Sequence, residues 1–432
     1  MKIKKTLLLI FYFFYSQITI AEIAIKNWKT SNGFNTFFVE SHELPIIDIN
    51  INFDAGSAYD PEQKRGLANL TNHLMTLGSD NLSEDESADR FTDIGAILSN
   101  ETDLDYARIS LRSLSDKKLF NQAIEAFEGV ISKPNFNPKV FEREKANLIA
   151  LIKQQETEPE QIGERAFRKL LYPSHPYQNY EIGDLDSVNN ITSDDVVNFY
   201  QNYFSANNGS IVIVGDLSKE EAKSLAEKLA AHFKKTQDRQ IQIVNPTPGT
   251  QIQIDHPAAQ AHLYFGAPIM KRNDPDFFPL YLGNYILGGG GFVSRLTNEI
   301  REKRGLVYSV YSYFMPHREA GPFQINLQTK KSQIDQAYSL VKKILNEFIE
   351  KGPTQQELDD AKTNMVGGFP LRLDSNKKII EYISMMAVYN YPVDYIQQFS
   401  KNINQVSLED IKDAFQRRLD MSKFSTVIVG KK

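Results

Sequence analysis

Ile191-Thr192-Ser193-Asp194-Asp195-Val196, followed by Ile211-Val212-Ile213-Val214-Gly215, decides the architecture of this chain, because both blocks return 215 residues later. Val406-Ser407-Leu408-Glu409-Asp410-Ile411 matches the first block and Thr426-Val427-Ile428-Val429-Gly430 the second, at one constant offset. In each copy a Thr or Ser is followed three residues on by Asp, a capping-box start for a helix. The helix then gives way to a β-branched strand ending in Gly. One unit of roughly 200 residues, used twice, accounts for the repetition.

Working outward, Asn32-Gly33 marks a hairpin turn. Ile47, Ile49, Ile51 and Phe53 alternate with Asp48, Asn50 and Asn52, the period of a strand with one buried face. Pro138 to Asn147 and Thr354 to Asn364 carry amphipathic helix patterns with acidic early turns. After Ser218, with Glu221 placed to complete a capping box, Ala222, Leu225, Ala226, Leu229 and Phe233 recur at helical spacing. The pattern lapses from Lys234 to Thr250, where Asn245-Pro246-Thr247-Pro248-Gly249 reads as a linker. The expected division is a first half at 22–233, a linker at 234–250 and a second half at 251–432. Strands and helices that do not strictly alternate predict an α+β fold, each half a mostly antiparallel sheet covered by helices.

The composition agrees: 432 residues, 41% hydrophobic and 24% charged, is ordinary globular material for two or three domains. The absence of cysteine removes a disulfide framework, cysteine zinc sites and a cysteine nucleophile together. Lys2, Lys4 and Lys5 precede an apolar run from Leu7 to Tyr15 and a small-residue ending at Thr19-Ile20-Ala21. That order predicts a secretory signal peptide over 1–21, since the run falls short of the roughly 20 apolar residues needed to span a bilayer. No later segment is long and apolar enough to span. Cleavage would remove those three lysines and no acid, making a chain of net charge −5 more acidic still. Such a balance argues against nucleic acid or anionic membrane as a partner. An exported chain without cysteine fits a periplasm-like compartment.

Gly66-Leu67-Ala68-Asn69-Leu70-Thr71-Asn72-His73-Leu74-Met75 is predicted to form a helix after the first strands. It resembles the inverted zinc motif, H-x-x-E-H, of the insulinase and pitrilysin type metallopeptidases, which include the mitochondrial processing peptidase. In that family the two His bind zinc and the Glu between them is the general base. The matching positions here are Asn69, Asn72 and His73, so one ligand and the base are absent. The family's third ligand, a Glu on a later helix, falls in Phe141-Glu142-Arg143-Glu144-Lys145-Ala146-Asn147-Leu148-Ile149-Ala150-Leu151. The best register puts Leu151 or a neighbouring apolar residue at that position, with Glu142 and Glu144 nearer the helix start. The chain is therefore expected to bind no zinc, and His73 to be a hydrogen-bonded helix residue. None of His42, His175, His232, His256, His262 and His317 has a second His three or four residues away.

In the second half, Gly288-Gly289-Gly290-Gly291-Phe292-Val293-Ser294-Arg295-Leu296 leads into Glu299-Ile300-Arg301-Glu302-Lys303-Arg304-Gly305-Leu306-Val307-Tyr308. It lacks the Lys-Ser/Thr of a phosphate-cradling loop, and flexible backbone beside a peptide site suits it better. The stretch resembles the C-terminal half of the same family, where an Arg and a Tyr seven residues later project into the catalytic chamber. Those positions are Arg301 and Tyr308. A guanidinium and a phenolic hydroxyl can hold a peptide carbonyl and stabilise a developing oxyanion. Gly289, Gly290, Gly291 and Phe292 are expected to border the bound peptide. Arg301 and Arg304 as surface charges and Tyr308 as a core aromatic form the competing reading.

The resemblance runs from Asn32-Gly33 to Gly430 and takes in His175-Pro176-Tyr177, Ile182-Gly183 and Ile213-Val214-Gly215-Asp216. It implies two homologous halves facing each other around a chamber. Some bacterial members are heterodimers in which one subunit carries zinc and base and the other the Arg/Tyr pair. This chain resembles the second kind, which implies a homologous zinc-bearing partner and peptides or unfolded segments as substrates, added as a strand to a sheet edge. Two other classes remain: a non-catalytic structural or peptide-binding protein, like the core subunits of the mitochondrial respiratory complex, and a self-sufficient hydrolase. No visible triad or metal motif supports the last.

Overall fold

The computed structural model describes residues 23–237 and 239–431, so the leader expected at 1–21 lies outside the described residues. The first half runs β1 (Ile25–Lys29), β2 (Asn35–Glu40), β3 (Ile46–Phe53), α1 (Leu67–Leu74), α2 (Glu84–Thr92), β4 (Ile97–Thr102) and β5 (Ala107–Leu114). It continues with α3 (Lys117–Ser132), α4 (Pro138–Gln155), α5 (Pro159–Leu171), α6 (Leu185–Asn189), α7 (Ser193–Tyr203), β6 (Gly209–Gly215) and α8 (Lys219–Ala230). The second half opens with β7 (Gln251–Ile254), β8 (Gln260–Met270), α9 (Phe277–Asn284), β9 (Ser309–Phe314) and β10 (Gly321–Lys330). It closes with α10 (Ile334–Lys351), α11 (Gln355–Gly368), α12 (Asn376–Val388), α13 (Tyr395–Gln405), α14 (Leu408–Arg418) and β11 (Ser425–Val429). Among the described residues no helix is long and apolar enough to cross a membrane.

The internal repeat is structural. One sheet has the order β1-β2-β6-β3-β5-β4 and the other β7-β11-β8-β10-β9. In each, one parallel pair (β2 with β6, β7 with β11) adjoins antiparallel neighbours. Helices α7 and α14 start at the two copies of the quoted motif, and both capping boxes form, Thr192 with Asp195 and Ser407 with Asp410. Helices α3 and α10 correspond in the same way, as do α5 and α12.

That last pair joins the halves. Helix α12, from the second half, lies across β6 and β3 of the first sheet, while α5, from the first half, lies across β11 and β8 of the second. The alternation in β3 therefore does not mark one buried and one solvated face, and the expectation of one buried face is corrected: Ile49 is 0% exposed, but Asn50 is only 3% and Asn52 1%. The polar face is covered by α12 and satisfied by hydrogen bonds. Asn50 Nδ2 donates to Ser384 Oγ of α12 at 3.0 Å, and Arg108 Nε donates to Asn52 Oδ1 at 2.6 Å. The same guanidinium pairs with Glu381 of α12 and, at 3.1 Å, with Glu101.

On the other side Tyr264 of β8 sends its hydroxyl to the Glu160 carbonyl at 2.7 Å and packs 6.0 Å from the Phe167 ring of α5. Gly163 leaves room for that approach, since a Cβ there would run into the Tyr264 ring and Val429. Phe37, Val39, Val212 and Val214 of the first sheet join the apolar core of the second half. Each such side chain contributes about 1.5–3 kcal/mol on burial, so separating the halves would expose a substantial shared core.

Candidate functional site

Helix α1 begins at Gly66, whose φ of 94° suits glycine, and the Asp60 carboxyl accepts hydrogen bonds from Gly66 N (2.7 Å) and Ala68 N (2.8 Å). Burial pushes that carboxyl up to about 8 even though these amides favour its charged form. Neighbouring positions on a helix point about 100° apart, so Asn72 and His73 meet different parts of the fold. Asn72 is 0% exposed. Its Nδ2 donates to Glu101 O at 2.8 Å, Thr102 Oγ1 at 3.0 Å and Arg108 O at 3.3 Å, fastening α1 to the outermost strand pair, β4 and β5.

His73 faces α4, where its Nε2 lies 3.1 Å from Glu144 Oε2, as a hydrogen-bonded helix residue should. Burial alone would raise Glu144, but hydrogen bonds from Arg143, His73 and Asn147 hold its carboxyl below the usual range. Helix α4 meets α1 with its second turn, so the carboxylate brought to the motif is Glu144, while Leu151 is a 42% exposed surface residue.

These residues do not fit a catalytic zinc, which takes three protein ligands. His73 and Glu144 offer two, Asn69 is a neutral amide, and Asn72 directs its donor at backbone carbonyls. Among the described residues no group of three or more His, Cys, Asp or Glu could hold a metal ion.

The glycine run joins two π-helical turns, Tyr285–Gly289 and Thr297–Glu302, a backbone feature frequent at functional sites. The run is less slack than its composition suggests. A Cβ on Gly288 would press against the backbone N of Ser312 in β9, and Gly291 has φ 64°. The loop is thus held close to β9 while Phe292 and Val293 at its tip stand 69% and 76% exposed. The Arg301 guanidinium sits 5.1 Å from the Phe292 ring centroid, a cation–π contact. Among the described residues its nearest carboxylate is Glu302 at 3.8 Å.

Tyr308 anchors by its backbone N–H to Gln328 O at 2.9 Å and leaves its side chain 48% exposed, so it is not a core aromatic. Arg301, Phe292 and Tyr308 lie on the same connection between α9 and β9, and none of the three side chains is bound into the core. No hydrogen bond joins Arg301 to Tyr308. The Phe292–Arg301 contact and the His73–Glu144 pair escape sequence inspection, because neither has helical or strand spacing.

Comparison with known proteins places this geometry. Residues 38–183 match the model described as insulinase (peptidase family M16), and 190–365 match the peptidase M16 inactive domain. The non-peptidase homolog YmxG of Helicobacter pylori is 29% identical over 411 residues, 91% of each chain. The zinc protease PqqE of the same organism is 25% identical over 390 residues, 85% of each chain. A crystal structure of a peptidase M16 inactive domain from Pseudomonas fluorescens superposes with a TM-score of 0.91 at 34% identity, covering 94% of this chain and 98% of that one. With its two homologous halves and its substituted zinc motif, the chain belongs to the insulinase-like peptidase family M16.

Proposed function

We propose that this chain is the non-zinc subunit of an exported, heterodimeric zinc peptidase, and that it helps bind and orient peptides or unfolded segments for a homologous zinc-bearing partner. The observation that carries this reading is the contrast between the two motif regions. Asn72 has been turned into a buried structural tie, whereas Phe292 and Tyr308 stay exposed and Arg301 partly exposed on a shaped loop, with no carboxylate among the described residues nearer Arg301 than Glu302 at 3.8 Å. A guanidinium held only by a loose ion pair and a ring contact, beside an accessible phenol, is suited to grip a peptide carbonyl and to stabilise negative charge on it. Strands β4 and β9 end their sheets, and such edges can pair with an added peptide strand. Helicobacter pylori holds both a non-peptidase homolog and a zinc protease similar to this chain, which is what a divided enzyme would require. Zinc and the hydrolytic step belong, in this reading, to the partner. The signal-like order of residues 1–21 supports export to the periplasm with a mature start at Glu22, and N-terminal sequencing of the exported protein checks it.

The test is co-expression with a homologue that retains H-x-x-E-H, followed by peptidase assays of each chain and of the mixture. Activity is expected from the mixture, with Tyr308→Phe or Arg301→Ala lowering turnover by about a hundredfold or more while assembly persists. Full activity of a correctly assembled Tyr308→Phe complex refutes the role and leaves a structural or peptide-binding protein.

A further inference from the structure

Between the halves lies a cavity of about 440 Å³ that shares no residue with α1 or with the Gly289–Tyr308 connection. Its volume falls within the range of small-molecule sites, roughly 300–1,000 Å³. Its walls come from α9, α12, α13 and the turn after β9, with Asp103 and Arg168 contributed by the first half. The lining is aromatic, including Tyr281, Phe314, Tyr382 and Tyr389, and its charge is unbalanced.

Arg168 is matched by Glu181 at 3.1 Å. Arg272 and Arg372 are not matched: among the described residues neither makes an ion pair. The Arg272 guanidinium lies 4.7 Å over the Tyr389 ring, with its Nε buried and lacking a hydrogen-bond partner. Arg372, at the exposed mouth, donates among the described residues to the Tyr281 hydroxyl alone, at 2.9 Å. Nearby acids do not compensate. Asp105 is consumed by the hydroxyls of Tyr177 (2.6 Å) and Tyr389 (2.9 Å) and by Arg318 N (2.8 Å). Asp103 has its carboxyl pushed up by burial, which disfavours its charged form. His317 is pushed down by burial and so adds little positive charge of its own. Two guanidiniums without counter-ions, set in an aromatic hollow, match a ligand with one anionic end and an apolar body.

We propose that this cavity binds an organic carboxylate whose apolar body is about the size of an aromatic residue, the carboxylate facing Arg272 and Arg372 and the body lying against the aromatic walls. The same chemistry is presented by the C-terminal residue of a peptide and by a free fatty acid. Calorimetric titration of the full mature chain tests it with three probes: N-acetylphenylalanine, its uncharged amide, and dodecanoate. A carboxylate probe should bind, N-acetylphenylalanine at least about tenfold tighter than its amide, and Arg272→Gln and Arg372→Gln should each weaken the carboxylate by about tenfold. The tighter of the two carboxylates names the source. Equal binding of acid and amide with no binding of dodecanoate, absence of binding by all three, or unchanged affinity in a folded Arg272→Gln chain overturns the proposal. The comparison of acid with amide needs no variant, so a misfolded substitution cannot shield it.

Discussion

Replacing Asn72 by Ala and by Glu separates a structural tie from a surviving catalytic position. Asn72→Ala removes donations to Glu101 O at 2.8 Å and Thr102 Oγ1 at 3.0 Å, each worth about 0.5–1.5 kcal/mol net. It also removes a buried Oδ1 that has no partner, which offsets part of the loss. The expected cost is about 1–2 kcal/mol. Asn72→Glu should be worse. It sets a carboxylate at a fully buried point facing the carbonyl oxygens of Glu101 and Arg108, where a charge without a partner costs about 3–5 kcal/mol.

Burial would raise the folded-state pKa of that Glu above its unfolded value near 4.3, so the folded form holds the proton more tightly. The deficit should therefore grow as pH rises from about 5 to about 8. Urea denaturation at the two pH values, with hydrogen exchange of the β4 amides as a local readout, measures both effects. A Glu variant as stable as the parent at pH 8, or more stable than the Ala variant there, would refute the assignment of Asn72 as a tie.

Three further outcomes follow from the contacts. Gly163→Ala should destabilise the chain by about 1–3 kcal/mol, since its Cβ has no room beside Tyr264, and thermal melts monitored by circular dichroism would read it. His42 is exposed and its pKa is raised by hydrogen bonds to Asp216 and Glu40, so its contribution to stability is present in acid and lost as pH climbs past the folded value. Denaturation curves of His42→Ala and the parent should accordingly differ at about pH 5.5 and coincide at about pH 8.5. Metal analysis of the purified mature chain should find no stoichiometric zinc, and one tightly held zinc per chain would contradict the two-ligand geometry of His73 and Glu144.

What could be read from the sequence was what short-range chemistry encodes. The capping boxes at Thr192 and Ser407, the period-two run in β3 and the turn at Asn32-Gly33 depend on residues at most a few positions apart, and all appear where their patterns fall. The repeat, being the same local code written twice, determined that two similar sheets would form. The substitutions at Asn69 and Asn72 likewise showed that a zinc ligand and a base were missing.

Only the tertiary structure decided what those positions do instead. Asn72 bonds a strand 29 residues away, His73 meets Glu144 at a separation of 71, and Arg108 reaches Glu381 at 273. The polar face of β3 could not be assigned to interface rather than solvent, because α12, which covers it, lies more than 300 residues downstream. The unmatched guanidiniums of Arg272 and Arg372 are visible only once the halves have exchanged helices and closed around the cavity. Hydrophobic burial draws the halves together without regard to sequence distance, so the partners available to each buried polar group are fixed by packing.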